Sequence, residues 1–250
     1  FEDLSLFWGI LSYPNKVEKA IESSLLRLED EKLQLIAVLA KEKKLFHSRI
    51  HCFEVQLEEV QRLDDYASME TNSEKVNGLM DSIAKAESQS KNFNKRENIL
   101  GLETSEYLVL SSCKERLLKF CDLWNMSVDF NSAKQEWLYG SLFELEAPIV
   151  ESKVEHWLQS ASDLSKEFKN DFPWAAECAN HLFVETSSFR KNMPVIRALA
   201  SKALKERHWI DVSKMMHSTI DFDDELSLHY LLDIGVIAKM DEISVVCAAA

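Results

Sequence analysis

The sequence predicts an all-α protein, built as elongated antiparallel helical bundles with one very long helix towards its N-terminal end. Three observations predict it. Only 5 Gly and 4 Pro occur in 250 residues, which leaves few places for tight turns. Leu, Glu, Lys and Ala, all good helix formers, dominate between those breaks. Apolar side chains recur at steps of three and four, the spacing that gathers them on one face of a helix.

The first helix is expected to open at Pro14-Asn15 and run to about residue 69, with no Gly or Pro inside it. Its seam is Ile21, Leu25, Leu28, Leu35, Leu39, Phe46, Ile50, Phe53, Leu57 and Val60. The four-step from Phe46 to Ile50 follows another four-step, a stutter that locally relaxes any supercoil. About 55 residues at 1.5 Å each make a rod of roughly 80 Å. A rod of that length needs partners along it, from this chain or another.

Thr71-Asn-Ser-Glu74 has the form of a capping box and is expected to start the second helix. That helix passes Ile83 and Phe93 to Leu100, with Gly101 as its C-terminal cap. A third passes Leu108, Leu117, Leu118, Cys121 and Trp124; short connections make helices two and three antiparallel neighbours of the first. Asn131 or Ser132 is expected to cap a short helix with Trp137 and Leu138. Pro148 opens another through Val154, Trp157, Leu158, Leu164 and Phe168. Phe172-Pro173-Trp174 separates it from a helix over about 175–192. Pro194 then opens a helix with a stripe of Val195, Ile196, Leu199, Ala203 and Leu204, and Gly235 divides the last two helices. No internal repeat, low-complexity tract or flexible linker stands out.

Composition narrows the chemistry. With 29 basic and 42 acidic residues the net charge is −13, which argues against a nucleic-acid surface. No apolar run approaches the roughly 18–20 residues that cross a bilayer, so no membrane association is expected. No leader precedes Phe1 and the chain stops at Ala250 inside a helical pattern, so both ends read as cuts in a longer polypeptide. Cys52, Cys113, Cys121, Cys178 and Cys247 are odd in number and scattered, the signature of reduced, buried, intracellular thiols.

No phosphate-cradling Gly-x-x-x-x-Gly-Lys-Ser/Thr, no Gly-x-Ser-x-Gly and no His-Glu-x-x-His occurs, so no catalytic or cofactor-binding residue is assigned. His47 and His51 share a helix face beside Cys52 but fall short of the three or four ligands of a zinc site, and no metal is expected. Asp64-Asp65 and the group Asp221, Asp223, Asp224 and Glu225 lack the spacing of a calcium loop. The second group suits the N-terminus of a following helix. Most of the six tryptophans fall on apolar stripes, where large rings fill gaps between helices.

One stretch is more specific. Pro194, Ile196, Leu199, Leu204 and the triplet Arg207-His208-Trp209 follow the pattern Pro-x-Ile-x-x-Leu-x-x-x-x-Leu-x-x-Arg-His-Trp. This resembles the dynein heavy chain where the tail runs into the linker of the motor. Upstream, Leu118, Leu123, Trp124, Trp137 and Trp157 resemble the run before the linker. Downstream, Phe222, Leu226, Leu228, Leu231, Leu232 and Ile243 resemble the next helical hairpin. The resemblance covers about residues 100–250, and Pro194 is closer to the axonemal branch than to the cytoplasmic one.

The resemblance implies a tail bundle over 1–100 and a tail-to-linker region over 101–250 of an ATP-driven, minus-end-directed microtubule motor. ATP and Mg belong to modules downstream of this segment. The implied partners are other dynein heavy, intermediate and light chains, the downstream ATPase ring of the same chain and, indirectly, microtubules. The implied location is the cytoskeleton of the ciliary axoneme. Arg207, His208 and Trp209, with Leu204, Leu199, Ile196 and Pro194, are the expected structural joint. Periodicity and composition by themselves fit equally a spectrin-like scaffold or tether with no motor attached.

Overall fold

The computed structural model of the chain describes residues 2–201, 203–218, 220 and 225–248, the side chains of 2–6, 8–12 and 248 excepted. Most of the described residues are helical: α1 Glu2–Val60, α2 Met69–Leu100, α3 Leu108–Tyr139, α4 Ala147–Phe168, α5 Pro173–Arg190, α6 Met193–Leu199, α7 Glu206–Met216, α8 Leu228–Asp233 and α9 Met240–Ala248. Short 3-10 turns intervene at Tyr66–Ser68, Leu142–Glu144 and Val236–Lys239. Among the described residues the one β-like pairing is an isolated antiparallel bridge between Ser141 and Ser227. Among them, too, no helix is long and apolar enough to cross a membrane.

Several boundaries fall where the turn chemistry places them. Gly101 adopts φ 71°, and the N–H of Leu102 reaches back to the Glu97 carbonyl at 2.9 Å, closing α2 in a glycine-capped turn. Gly235, at φ 81°, ends α8 in the same left-handed region. Pro148 and Pro173 lie in the first turns of α4 and α5, where a missing N–H removes nothing the helix would use.

Other boundaries differ from the expected ones. Helix α1 begins at Glu2, so Pro14 lies in its interior, and it ends at Val60 rather than near residue 69. The chain turns at 61–64, and the Asp65 carboxylate accepts the N–H of Ala67 at 3.0 Å, starting the next helical segment. Thr71 and Glu74 are therefore inside α2 and form no N-terminal box; the capping belongs to Asp65, whose own carbonyl accepts from Asn72 Nδ2 at 3.0 Å. Asn131 and Ser132 start no new helix. Phe130, Ala133 and Trp137 are buried at helical spacing on one face, and their packing carries α3 through the weak formers between them.

The chain groups into two compact units, Phe1–Leu57 with Leu79–Glu115, and Glu58–Gly78 with Arg116–Ala250. Neither is contiguous, so this partition differs in kind from a division at residue 100. In the first unit α2 runs antiparallel to α1: Glu42 pairs with Arg96, Lys43 with Glu97, Phe46 packs on Phe93 with ring centroids 5.2 Å apart, and Arg49 reaches Gln89 at 3.3 Å. Lys114 of α3 pairs with Glu87 of α2 at 2.7 Å. Leu39, Phe46, Ile50, Phe53 and Leu57 are buried as the seam requires, whereas Ile21, Leu25, Leu28 and Leu35 of the same seam are exposed.

Glu97 is the buried charge of this unit, its side chain only 1% exposed. It accepts from the Lys43 ammonium, from the Ser105 hydroxyl at 2.7 Å and from the Ser105 N–H at 2.8 Å. Burial opposes its ionisation, but the hydrogen bonds from Lys43 and Ser105 outweigh that and hold its pKa below the ordinary 4.5.

A group so depressed contributes stability that is complete above its unfolded value and is lost as pH falls through the folded one. Replacing Lys43 by Ala strands a buried carboxylate and should cost about 3–5 kcal/mol at neutral pH, read by urea unfolding. Glu97→Gln should lose less, because Lys43 keeps access to water, and should flatten the decline of stability on acidification below about pH 4.5. Equal midpoints for wild type and both variants at pH 7 would refute this.

Candidate functional site

The resemblance residues lie in the second unit, and one core gathers most of them. It runs from Phe130 and Trp137 of α3, through Val154 and Trp157 of α4, Leu182 and Phe189 of α5, and Ile196 and Leu199 of α6. It continues through Leu204, Trp209 and Val212 to Leu228, Leu231, Val236 and Ile243. Its centre is aromatic. Trp137 lies against Trp157 at 5.7 Å and Phe189 at 5.2 Å, and Phe130 meets Trp157 edge-on at 5.6 Å. Aromatic pairs at these distances add to area burial. Phe130, Phe189 and Met193 belong to this core and were not singled out from the sequence. The helical spacing of Phe130 from Trp137, of Met193 from Ile196 and of Phe189 from Leu182 is the signal that could have found them.

The motif helix is shorter than its stripe suggests. Helix α6 ends at Leu199, and the Ser201 hydroxyl accepts the N–H of Ala203 at 3.3 Å, a local turn that competes with the helical ladder. Leu204 then enters the core from the connection, and Ala203 is exposed. The triplet opens α7. His208 is 7% exposed and Trp209 1%. Trp209 meets Phe143 edge-on at 6.0 Å, while Arg207 and Pro194 remain at the surface. Of the seven residues expected to act together, the fold thus brings Ile196, Leu199, Leu204 and Trp209 into one core, buries His208 as a cap, and leaves Pro194 and Arg207 at the surface.

His208 acts as a helix cap. Its Nδ1 accepts the backbone N–H of Lys205 at 3.0 Å, satisfying a donor that the first turn of α7 leaves over. On the other side of the ring the Arg207 Nε lies 3.0 Å from Nε2.

Around the core, ion pairs sit at the rim. Arg197 of α6 makes a two-point pair with Glu151 of α4, and Arg190 of α5 reaches Glu155 of α4 at 3.0 Å. A second tie is backbone: the N–H of Leu142 donates to the Leu226 carbonyl at 2.8 Å, beside the Ser141–Ser227 bridge. Gly140 makes that corner possible. A Cβ on it would stand 2.5 Å from the Glu136 carbonyl oxygen, inside any real contact distance.

Burial holds two thiols and one phenol of the unit in their neutral forms. Burial, with the Asp64 carboxylate, pushes the Cys178 thiol to about 11, and its S–H points at the Asp64 carbonyl 3.6 Å away. Burial, with Asp122, pushes Cys121 to about 11 as well. Thiols so raised are poor nucleophiles. Burial raises Tyr66 to about 12 beside His181, whose ring lies 4.3 Å away. The expectation that all the thiols are buried needs correction, because Cys52 is exposed and Cys247 half-buried.

His47 and His51 do not converge on a shared ligand. His47 packs on Tyr107 at 5.7 Å, and His51 Nδ1 lies 3.0 Å from Glu54. Among the described residues no three His, Cys, Asp or Glu side chains are placed to hold a metal ion. Asp221, Phe222, Asp223 and Asp224 lie outside the described residues; Glu225 is exposed.

What these residues build is a packing architecture, an aromatic core under a rim of ion pairs. Comparison with known proteins gives it a family. Residues 110–250 match the model of the dynein heavy chain, N-terminal region 2, and the chain belongs to the dynein heavy chain family. It is similar to dynein axonemal heavy chain 3 of Homo sapiens, 23% identical over 251 residues that take in 100% of this chain and 6% of that protein. It is similar also to dynein axonemal heavy chain 1 of Mus musculus, at 22% over 257 residues, again 100% of this chain and 6% of the relative. With dynein axonemal heavy chain 2 of Homo sapiens it shares 25% over 142 residues, 56% of this chain and 3% of that one. The first two alignments extend the likeness through the first hundred residues. The chain spans about 6% of the length of these two relatives.

Trp209→Ala should cost about 3–5 kcal/mol, the range for emptying a buried aromatic site, and Arg207→Ala within about 0.5 kcal/mol, both read by urea unfolding. Gly140→Ala should cost about 1–3 kcal/mol through the forced shift at the end of α3. A Trp209 variant as stable as wild type would show that this ring does not hold the core.

Proposed function

We propose that this chain is the stretch of a dynein heavy chain in which the end of the tail meets the start of the linker, and that it transmits force rather than performing chemistry. The observation that carries the reading is the single core running from α3 to α9, with Trp209 inside it and His208 buried as the cap of α7. A stretch that passes load must resist bending, and close-packed side chains in a shared interior do so because interiors are dense and little compressible. Membership of the dynein heavy chain family supports this over a passive spectrin-like tether, which would need the packing alone.

On this reading the complete protein is an ATP-driven, minus-end-directed microtubule motor. ATP and Mg are used in modules downstream, and no cofactor is assigned to residues 1–250. Its partners are the ATPase ring of its own chain, other heavy, intermediate and light chains and, indirectly, microtubules. The relatives' axonemal names support a place in the cytoskeleton of a cilium. The net charge of −13 keeps the segment apart from acidic surfaces such as nucleic acid, and no membrane role is assigned.

The experiment is Trp209→Ala in the full-length motor, with ATP turnover and microtubule gliding measured in parallel. Gliding should slow several-fold while microtubule-stimulated turnover stays near wild type, because the core is loosened and the ATPase modules are untouched. Gliding at wild-type speed, or loss of turnover in proportion to gliding, would overturn the force-transmission reading.

A further inference from the structure

Although the chain has no domain-scale repeat, helix α1 carries the same short pattern twice. Leu39-Ala-Lys-Glu42-Lys43-Lys-Leu-Phe46 repeats Leu28-Glu-Asp-Glu31-Lys32-Leu-Gln-Leu35 eleven residues on. Eleven residues are close to three full turns, so the two copies face the same way about 16 Å apart along the helix. The second copy is read by α2, which runs antiparallel: Arg96 pairs with Glu42, the buried Glu97 takes Lys43, and Phe93 packs on Phe46. The first copy is not covered in this way. Leu28 is 57% and Leu35 53% exposed, Lys32 is exposed, and Glu31 faces only Arg27 of its own helix, at 3.6 Å.

We propose that the Glu31-Lys32 copy is a docking site for a partner helix that runs antiparallel to α1 and presents an apolar-x-x-Arg-Glu face, the chemistry α2 offers with Phe93, Arg96 and Glu97. The seam is continuous with the one α2 already covers, so the site extends an interface that exists. Charge selects the occupant. At 3.6 residues per turn, Glu18, Glu22, Glu29 and Glu31 flank the exposed seam, while Lys16, Lys19 and Arg27 lie further round the helix. A partner with basic flanks complements that edge, and one acid on it meets Lys32. A second copy of α1 is disfavoured, because its own glutamates would face these. The exposed Ile99 and Leu108, at the α2–α3 end of the same unit, supply further apolar surface for an incoming segment. This inference stands independently of the motor reading.

The test uses the full 250-residue chain and a fluorescent synthetic peptide with the sequence of residues 82–101, which carries the α2 face. Fluorescence anisotropy should show saturable binding. The double variant Glu31→Arg with Lys32→Glu should weaken it at least tenfold, and a peptide carrying Arg96→Glu and Glu97→Lys should restore it. Leu28→Glu should abolish binding of both peptides, since it removes the seam without touching the charged pair; all three positions are exposed, so the fold is unaffected. Absence of saturable binding, binding indifferent to the charge swap, or self-association of the chain through α1 in sedimentation would each overturn the proposal.

Discussion

Covering an apolar seam along helices of thirty residues or more is the constraint on which this architecture rests. A helix as long as α1 exposes a stripe that only other helices can bury over any distance, and α2 and α3 fold back to do so from Leu39 onward. A plain apolar seam would let them slide by a turn, since one leucine replaces another at little cost. The buried Glu97 prevents it. Moved by a turn along α1, its carboxylate would lose Lys43, and a buried charge without its counter-ion is far costlier than a shifted leucine.

The second unit meets the same constraint with shorter pieces. After α5 the helices are only six to eleven residues long, too short to be stable alone, and each exists because it contributes to the core around Trp137, Trp157 and Phe189. Polar side chains organise the breaks between them. Ser201 turns the chain after α6, His208 caps α7, and Ser227 accepts the Tyr230 N–H at 3.3 Å to begin α8. The triplet Arg207-His208-Trp209 thereby divides its work: one residue fills the core, one caps a helix, and one stays in solvent. Nothing in that division needs a catalytic group. The thiols Cys121 and Cys178 elsewhere in the unit, held protonated by burial, agree with an interior made for packing.

Membership of the dynein heavy chain family and the packing of these cores bear on each other at one point. The core that holds Trp209 also holds Phe130 and Trp137, near the start of the matched region, so residues about eighty apart in sequence share one interior. Elements tied in this way share one packed interior, the property on which the proposed role in transmission rests.

Much of this was legible in the residues themselves. The all-α class, the glycine caps at Gly101 and Gly235, the proline starts of α4 and α5 and the apolar positions at Ile196, Leu199 and Trp209 follow from local backbone chemistry and from a period set by the helix. The family was legible too, because a spaced pattern ending in Arg-His-Trp is carried by residue identity. Tertiary structure alone decided the rest. Whether Asn131 and Ser132 would break a helix depended on Phe130 and Trp137 having a core to enter. Whether Ser201 would end α6, or Asp65 begin the segment leading into α2, depended on hydrogen bonds that a local pattern permits without requiring. Glu97 reads as an ordinary surface glutamate until α1 brings Lys43 to it. The exposed half of the α1 seam makes the same point in reverse: its pattern matches the buried half, and only the reach of α2 separates them.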